Sequence, residues 1–184
     1  MMKVQIIRSR RKTIQTSVNV DGEVILRVPV RTSQAEIEKV LREEKDWILR
    51  HLEKMKERQE KKDLLPPFTN EEIKKLGDQA VHYIPERVAY YAERLHVTYG
   101  RITIRNQKTR WGSCSAKGNL NFNCLLMMTP PDVIDYVIVH ELCHRLEMNH
   151  SPRFWKYVAS IMPDYKDKQK WLRENGQVLI DRLE

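Results

Sequence analysis

Cysteine is scarce. Cys114, Cys124 and Cys143 are the only three in 184 residues, and none stands in a CxxC spacing. An odd count without that spacing excludes a disulfide scaffold and a four-cysteine zinc knot and leaves reduced thiols. Long apolar runs are missing too. The stretch Cys124-Leu125-Leu126-Met127-Met128 is far too short to cross a bilayer, and the first twelve residues lack the apolar core of a signal peptide. A cytoplasmic location is therefore the default. There is no internal repeat and no phosphate-cradling GxxxxGK(S/T) sequence.

What is present fits a soluble globular protein: 41% of residues are hydrophobic, and the chain is long enough to bury a core as one domain or a domain with an appendage. Lys plus Arg number 33 against 25 Asp plus Glu, a formal charge of +8. That excess favours acidic or polyanionic partners, nucleic acid or nucleotides among them. Much of it lies in mixed-sign helical stretches, where a solvated face is the simpler reading.

The main functional clue is histidine: three of the six fall within eleven residues, at His140, His144 and His150. His140 and His144 are four apart, so on a helix their imidazoles project from one face, one turn apart, and can share a metal ion. Glu141, about a hundred degrees round the helix, is offset from that face but can reach a water held there. This is the HExxH arrangement of zinc hydrolases. The bare pattern also arises by chance, and helical histidine pairs can be ordinary core or surface residues. The local sequence supports a largely buried helix: Thr129 and Asp132 resemble a capping box, Pro130 and Pro131 suit a first turn, and Val133, Tyr136, Val137 and His140 continue one face. Cys143, at i+3 from His140, faces a metal only by distorting that helix, so packing is its reading; Cys114 is a minor candidate for a reactive thiol.

A tetrahedral catalytic zinc needs a third protein ligand. His150 lies ten residues after His140, as in HExxHxxGxxH zincins, but Glu147 stands where those have the glycine of a tight turn. Glu147 is itself the competing ligand, at i, i+4, i+7 on a continued helix. We favour His150, because Asn149 can take the left-handed conformation that ends a helix.

Elsewhere, residues 13–20 and 24–28 alternate around Asp21-Gly22, which predicts an antiparallel hairpin with a two-residue turn. Arg8, Arg10, Arg11 and Lys12 precede it and could grip phosphates or guard a sheet edge. Ser33 and Glu36 open a long amphipathic helix carrying Ile37, Val40, Leu41, Trp47, Ile48, Leu52 and Met55 to about residue 62. Leu64-Leu65-Pro66-Pro67 breaks the pattern and predicts a boundary between 1–65 and 66–184. Thr69 and Glu72 start a second helix, which Pro85 should kink or divide. Residues 101–105 and 119–123 read as strands with a turn, Thr109 to Ser115, between them. Pro152 starts a helix that Met162-Pro163 ends, and one or two more follow. His51, His82 and His96 are left unassigned.

With these pieces placed, the chain resembles the YgjP-like zinc metallopeptidases, related to WLM and SprT-like zincins. The resemblance spans nearly the whole chain and rests on Arg110-Trp111-Gly112-Ser113-Cys114, on Asp135-Tyr136-Val137 leading to His140-Glu141-Leu142-Cys143-His144, and on Asn149-His150-Ser151-Pro152 with Phe154-Trp155. It implies an α+β fold: a small N-terminal β part joined through a long helix to a zincin-like catalytic domain, 66–184. It also implies zinc held by His140, His144 and His150, with Glu141 as general base in hydrolysis of a peptide or protein substrate. By analogy, strand 119–123 would lie along the cleft and pair with an extended peptide, the Arg110–Cys114 turn would shape the cleft, and Trp111 would either line it or pack beneath the active-site helix. Arg110, Arg153 and Tyr157 are candidate oxyanion donors. Two rival functions remain: a zinc-dependent nucleotide phosphohydrolase, and a nucleic-acid-binding module with a structural zinc.

Overall fold

The computed structural model describes residues 3–19 and 22–183, apart from the side chains of 58 and 61–63. The chain is α+β and divides into two compact units, Met1–Leu64 and Leu65–Glu184. No helix of the described residues is long and apolar enough to cross a membrane.

In the first unit, β1 (Val4–Ser9), β2 (Gln15–Val18) and β3 (Val24–Pro29) form one sheet in the order β1-β3-β2. The strict alternation of β3 buries Val24, Leu26 and Val28 on one face, with Leu26 and Val28 clustered with Ile37 of helix α1 (Gln34–Glu43). The predicted antiparallel hairpin is β2–β3. Its ladder runs on to Asn19, whose N–H donates to Glu23 O, so the connection is longer than a two-residue Asp21-Gly22 turn. Gly22 takes φ +75°, open to glycine without strain, while Asp21 lies outside the described residues. Strand β1, parallel to β3, has no counterpart in the sequence reading because its residues do not alternate. Arg8 of the basic cluster donates from Nη1 to Val30 O at 3.0 Å and Thr32 O at 2.7 Å, tying this edge strand to the loop before α1.

The Ser33–Glu36 capping box is formed: Ser33 N–H donates to Glu36 Oε2 at 2.7 Å and Ser33 Oγ accepts from Glu36 N–H. The single long helix is in fact two, α1 and α2 (Lys45–Asp63), parted at Glu44. Hydrogen bonds run across the break, from Glu44 N–H to Val40 O and Ile48 N–H to Glu44 O, each 2.9 Å, so apolar periodicity does not register it.

The second unit is built on α3 (Asn70–Leu95), which starts at a Thr69–Glu72 capping box and buries Leu76, Ala80, Ile84, Val88 and Leu95 along one stripe. Pro85 does not divide it. The helix stops at His96, left-handed at φ 54°, whose N–H returns to the carbonyls of Ala92 and Glu93. A second sheet follows in the order β4-β6-β5, from β4 (Ile102–Arg105), β5 (Gly112–Cys114) and β6 (Leu120–Asn123). Two expectations are corrected here. Strand 119–123 is the central strand, paired with β4 on one side and β5 on the other, so it has no free edge for a peptide. Within the segment read as a turn, Gly112–Cys114 is the edge strand β5.

A 3₁₀ turn (Cys124–Met128) leads into α4 (Pro131–Cys143), the most deeply buried helix of the described residues. Thr129 does not cap it. Its hydroxyl donates instead to Leu126 O at 2.8 Å, closing the preceding turn, while Pro131 fills the first helical position, where a missing N–H costs nothing. Helices α5 (Pro152–Ile161), α6 (Tyr165–Trp171) and α7 (Gln177–Asp181) complete the unit, with a π turn, Leu172–Gly176, between the last two.

Charge fixes α4 in place. Arg87 of α3 forks onto Asp135, Nε to Oδ1 at 2.8 Å and Nη2 to Oδ2 at 2.7 Å, and the Tyr91 hydroxyl donates to the same carboxylate at 3.0 Å. Lys168 of α6 bridges Asp132 in the first turn of α4 and Asp164, at 2.8 and 2.9 Å. Breaking a buried pair from one side costs about 3–5 kcal/mol. The Arg87 side chain keeps 30% of its surface in water, which lowers that figure. Asp135→Ala is expected to destabilise the protein by about 2 kcal/mol, read from the urea midpoint, with Glu86→Ala, an exposed residue beside Arg87 on α3, as a control changing it little.

Candidate metal centre

Helix α4 carries His140 in its last turn and ends on His144, its C-cap. Their rings lie 5.1 Å apart between centroids. The chain then reverses through short-range hydrogen bonds, Arg145 N–H to Leu142 O at 2.9 Å and Leu146 and Glu147 N–H to Cys143 O at 3.0 Å. Asn149 is not left-handed, contrary to expectation: His96 is the only described non-glycine residue with positive φ. The reversal is instead spread over several residues and fastened by Arg145, which donates to Thr98 O at 3.0 Å and Ala116 O at 3.2 Å. Ser151 then caps α5 by accepting from Phe154 N–H.

The reversal brings His150 back over the helix. Its Nε2 stands 2.9 Å from His140 Nε2, and the three histidines offer nitrogens all within 4.8 Å of one another. Ligand nitrogens on one tetrahedral zinc, with Zn–N bonds of about 2.0–2.1 Å, lie about 3.3 Å apart, inside that range. Glu147 is not among the gathered groups, because α4 ends before it. What Glu147 contributes is its backbone carbonyl, 3.2 Å from His144 Nδ1. A carbonyl only accepts, so Nδ1 carries the proton and Nε2 is left with its lone pair free.

Burial sets the protonation of the cluster. Desolvation, then the neighbouring His144 and His150, lowers the pKa of His140 to about 3, and burial lowers that of His144 as well. His140 Nδ1 is buried without a hydrogen-bond partner. Imidazoles crowded on one point, one with an orphaned nitrogen, are a donor set suited to a metal ion such as zinc.

Glu141 lies beside them, 6% exposed, with its pKa raised to about 8 by burial and only partly countered by the charge of Arg110. It faces β5 at Gly112. A Cβ at that glycine would stand 2.7 Å from Glu141 Oε1, so the carboxylate keeps its place only because residue 112 has no side chain.

Aromatic packing closes the base. Phe154, fully buried, touches all three imidazoles, with ring centroids 4.7 to 4.9 Å away. Trp155 stacks on His150 at 5.8 Å and on Tyr165 at 5.2 Å. Residues 12–79 and 71–175 match the family model described as YgjP-like, metallopeptidase domain.

The chain belongs to the YgjP-like metallopeptidase family. Membership makes it a metallohydrolase by class. Among solved structures it is similar to the metallopeptidase zymogen abylysin of Pyrococcus abyssi, 19% identical with a TM-score of 0.47 over 51% of this chain and 96% of that one. It is similar also to the metallopeptidase zymogen jannalysin of Methanocaldococcus jannaschii, 19% identical with a TM-score of 0.45 over 50% and 94%. No curated protein matches.

Other candidates from this YgjP-like sequence fall into place. Cys143 is buried and its pKa is pushed up to about 12, as packing requires, and burial followed by the nearby Glu141 also raises that of Cys114, which argues against a reactive thiolate. Arg153 donates from Nε to the Tyr157 hydroxyl at 3.1 Å on the exposed side of α5, whereas Arg110 acts on Glu141. Gly112 and Phe154 are the site residues whose roles the sequence reading missed. The signal for Gly112 was a glycine inside what proves to be a strand.

Phe154→Ala is expected to cost about 3–5 kcal/mol of stability, as for other fully buried aromatics. It should also weaken zinc affinity about 10–100-fold, the usual effect of losing support behind ligands. Denaturation of the metal-free protein and competition titration with a zinc chelator measure the two separately.

Proposed function

We propose that this protein is a zinc-dependent metallopeptidase in which His140, His144 and His150 hold the ion and Glu141 is the general base. The observation that carries the reading is the convergence of three imidazoles beside a buried carboxylate, in a chain of a metallopeptidase family. Bound zinc supplies Lewis acidity, bringing a water to a pKa of about 7 and polarising a carbonyl. The rest falls to the side chains. The Glu147 carbonyl fixes the His144 tautomer, and Phe154 holds the three rings in their relative positions. Glu141 takes a proton from the attacking water and returns it to the leaving amine. Burial holds the pKa of this carboxyl above the ordinary carboxylate range, and the charge of Arg110 limits the rise.

The edge of β5 supports an extended peptide as substrate. Trp111 O accepts from Asn123 N–H and Ser115 N–H donates to Asn119 O, so these residues turn their backbone groups toward β6. By the alternation of an antiparallel ladder, Gly112 and Cys114 turn theirs the other way, where an added strand can bond to them. The rival readings find less support. The three histidines are the only group of metal-ligating type among the described residues, so the second, carboxylate-rich metal site of many phosphohydrolases has no counterpart there. A structural zinc normally takes four protein ligands, and would leave Glu141 without a task.

Metal analysis of the purified protein tests the proposal. About one zinc per chain is expected in the wild type, in Glu147→Ala and in Glu141→Gln, with loss from His144→Ala and His150→Ala. Glu141→Gln should keep its zinc yet lose peptide hydrolysis by about 10²–10⁴-fold. A folded wild-type protein that takes up no zinc when supplied with it would overturn the reading.

A further inference from the structure

Next to the histidines lies a cavity of about 170 Å³, open on one side. Three elements build it. Tyr136, Val137, His140 and Glu141 come from one face of α4, at spacings of one, four and five residues. Gly112 comes from the start of β5, Trp111 from the residue just before it, and Leu172 from the start of the π turn. Single π turns concentrate at functional sites, and here the turn places a leucine against an active-site helix. Its last residue explains the composition. A Cβ at Gly176 would meet the Trp111 indole at 3.0 Å, so the glycine lets the ring lie against the turn and form a wall of the cavity.

The size and lining restrict what fits. Pockets for whole small molecules run to about 300–1,000 Å³; this one suits a single side chain. Its walls are mostly indole, phenol ring, valine and leucine, with the His140 imidazole and the one carboxylate, Glu141, on the side where the bond is to be cleaved. An acidic side chain would be buried against that carboxylate, and a basic one would tie up the base. An apolar side chain meets neither obstacle. Along an extended peptide on the β5 edge, alternate side chains point to the same face, so one of them can reach the cavity beside Gly112.

We infer that this cavity is a specificity subsite for one apolar side chain flanking the scissile bond, with Leu172 setting its depth. The inference rests on the peptidase reading above, and two readouts keep their failures apart. The first is cleavage of a peptide library by the zinc-loaded protein, read by mass spectrometry. The wild type should select aliphatic or aromatic residues at one position adjacent to the cut. Leu172→Phe should shift that position toward alanine and glycine by about tenfold, the scale of a methylene or two in an apolar pocket. Leu172→Ala should shift it toward larger side chains. Identical profiles for all three proteins, or a charged preference, would overturn the inference while leaving the peptidase standing.

The second readout needs no turnover: the Trp111 indole N–H resonance, assigned with Trp111→Phe, is followed during titration with N-acetyl-leucine amide and N-acetyl-aspartate amide. The leucine probe alone should move it, and about tenfold more weakly in Leu172→Phe. A resonance that ignores the leucine probe in the wild type sinks the subsite even if peptides are cut. A response to it without any cleavage sinks the peptidase reading and keeps the apolar cavity.

Discussion

Desolvation of α4 is the constraint on which the rest depends. Ten of its residues, from Val133 to Cys143, are buried, among them a carboxylate, Glu141, that would be ionised in water, while half-buried His140 sits in the same helix. Burial, helped by the neighbouring His144 and His150, drives the pKa of His140 down to about 3, and burial outweighs the charge of Arg110 to raise that of Glu141 to about 8. Both shifts act in the useful direction. A neutral imidazole has a lone pair to offer, and a carboxyl poised near neutrality can hold a proton and release it.

A helix buried on most sides must still be placed to a fraction of an ångström, and apolar contacts have no direction. Directional bonds supply it at each end. Arg87 and Tyr91 converge on Asp135, Lys168 grips Asp132, and Arg145 fastens the loop just past His144 to two backbone carbonyls. Phe154 then works from the next helix, filling the space behind all three imidazoles, so the third histidine is positioned by packing as much as by the chain that carries it.

Much of this is legible in the sequence, and what is not has a physical cause. The capping boxes at Ser33 and Thr69 and the helix starting at Pro152 declare themselves through local chemistry and appear as read. The gathering of His140, His144 and His150 follows from their spacing. Strand order does not, since β1 and β4 each skip the next strand and pair in parallel with one further along the chain. Thr129 and Asp132 look like a capping box, but the proline at 130 extends the backbone and the threonine hydroxyl finds a nearer carbonyl. Gly112 and Gly176 have meaning only through what they face, a carboxylate and an indole, which no local pattern encodes.

Glu147 shows how the departure from a glycine at this position is accommodated. A glycine would be needed if the chain reversed in one sharp left-handed step. Here successive N–H groups from Arg145 to Glu147 bond back to the last carbonyls of α4, and every described residue of the turn keeps negative φ. The demand on residue 147 therefore moves from its conformation to its carbonyl, which must stay within reach of His144 Nδ1. Any residue with a backbone oxygen meets that demand, so the side chain at 147 is left outside the cluster of nitrogens. The acidic residue that the sequence offers as a rival ligand is in this structure a backbone support for the His144 ring.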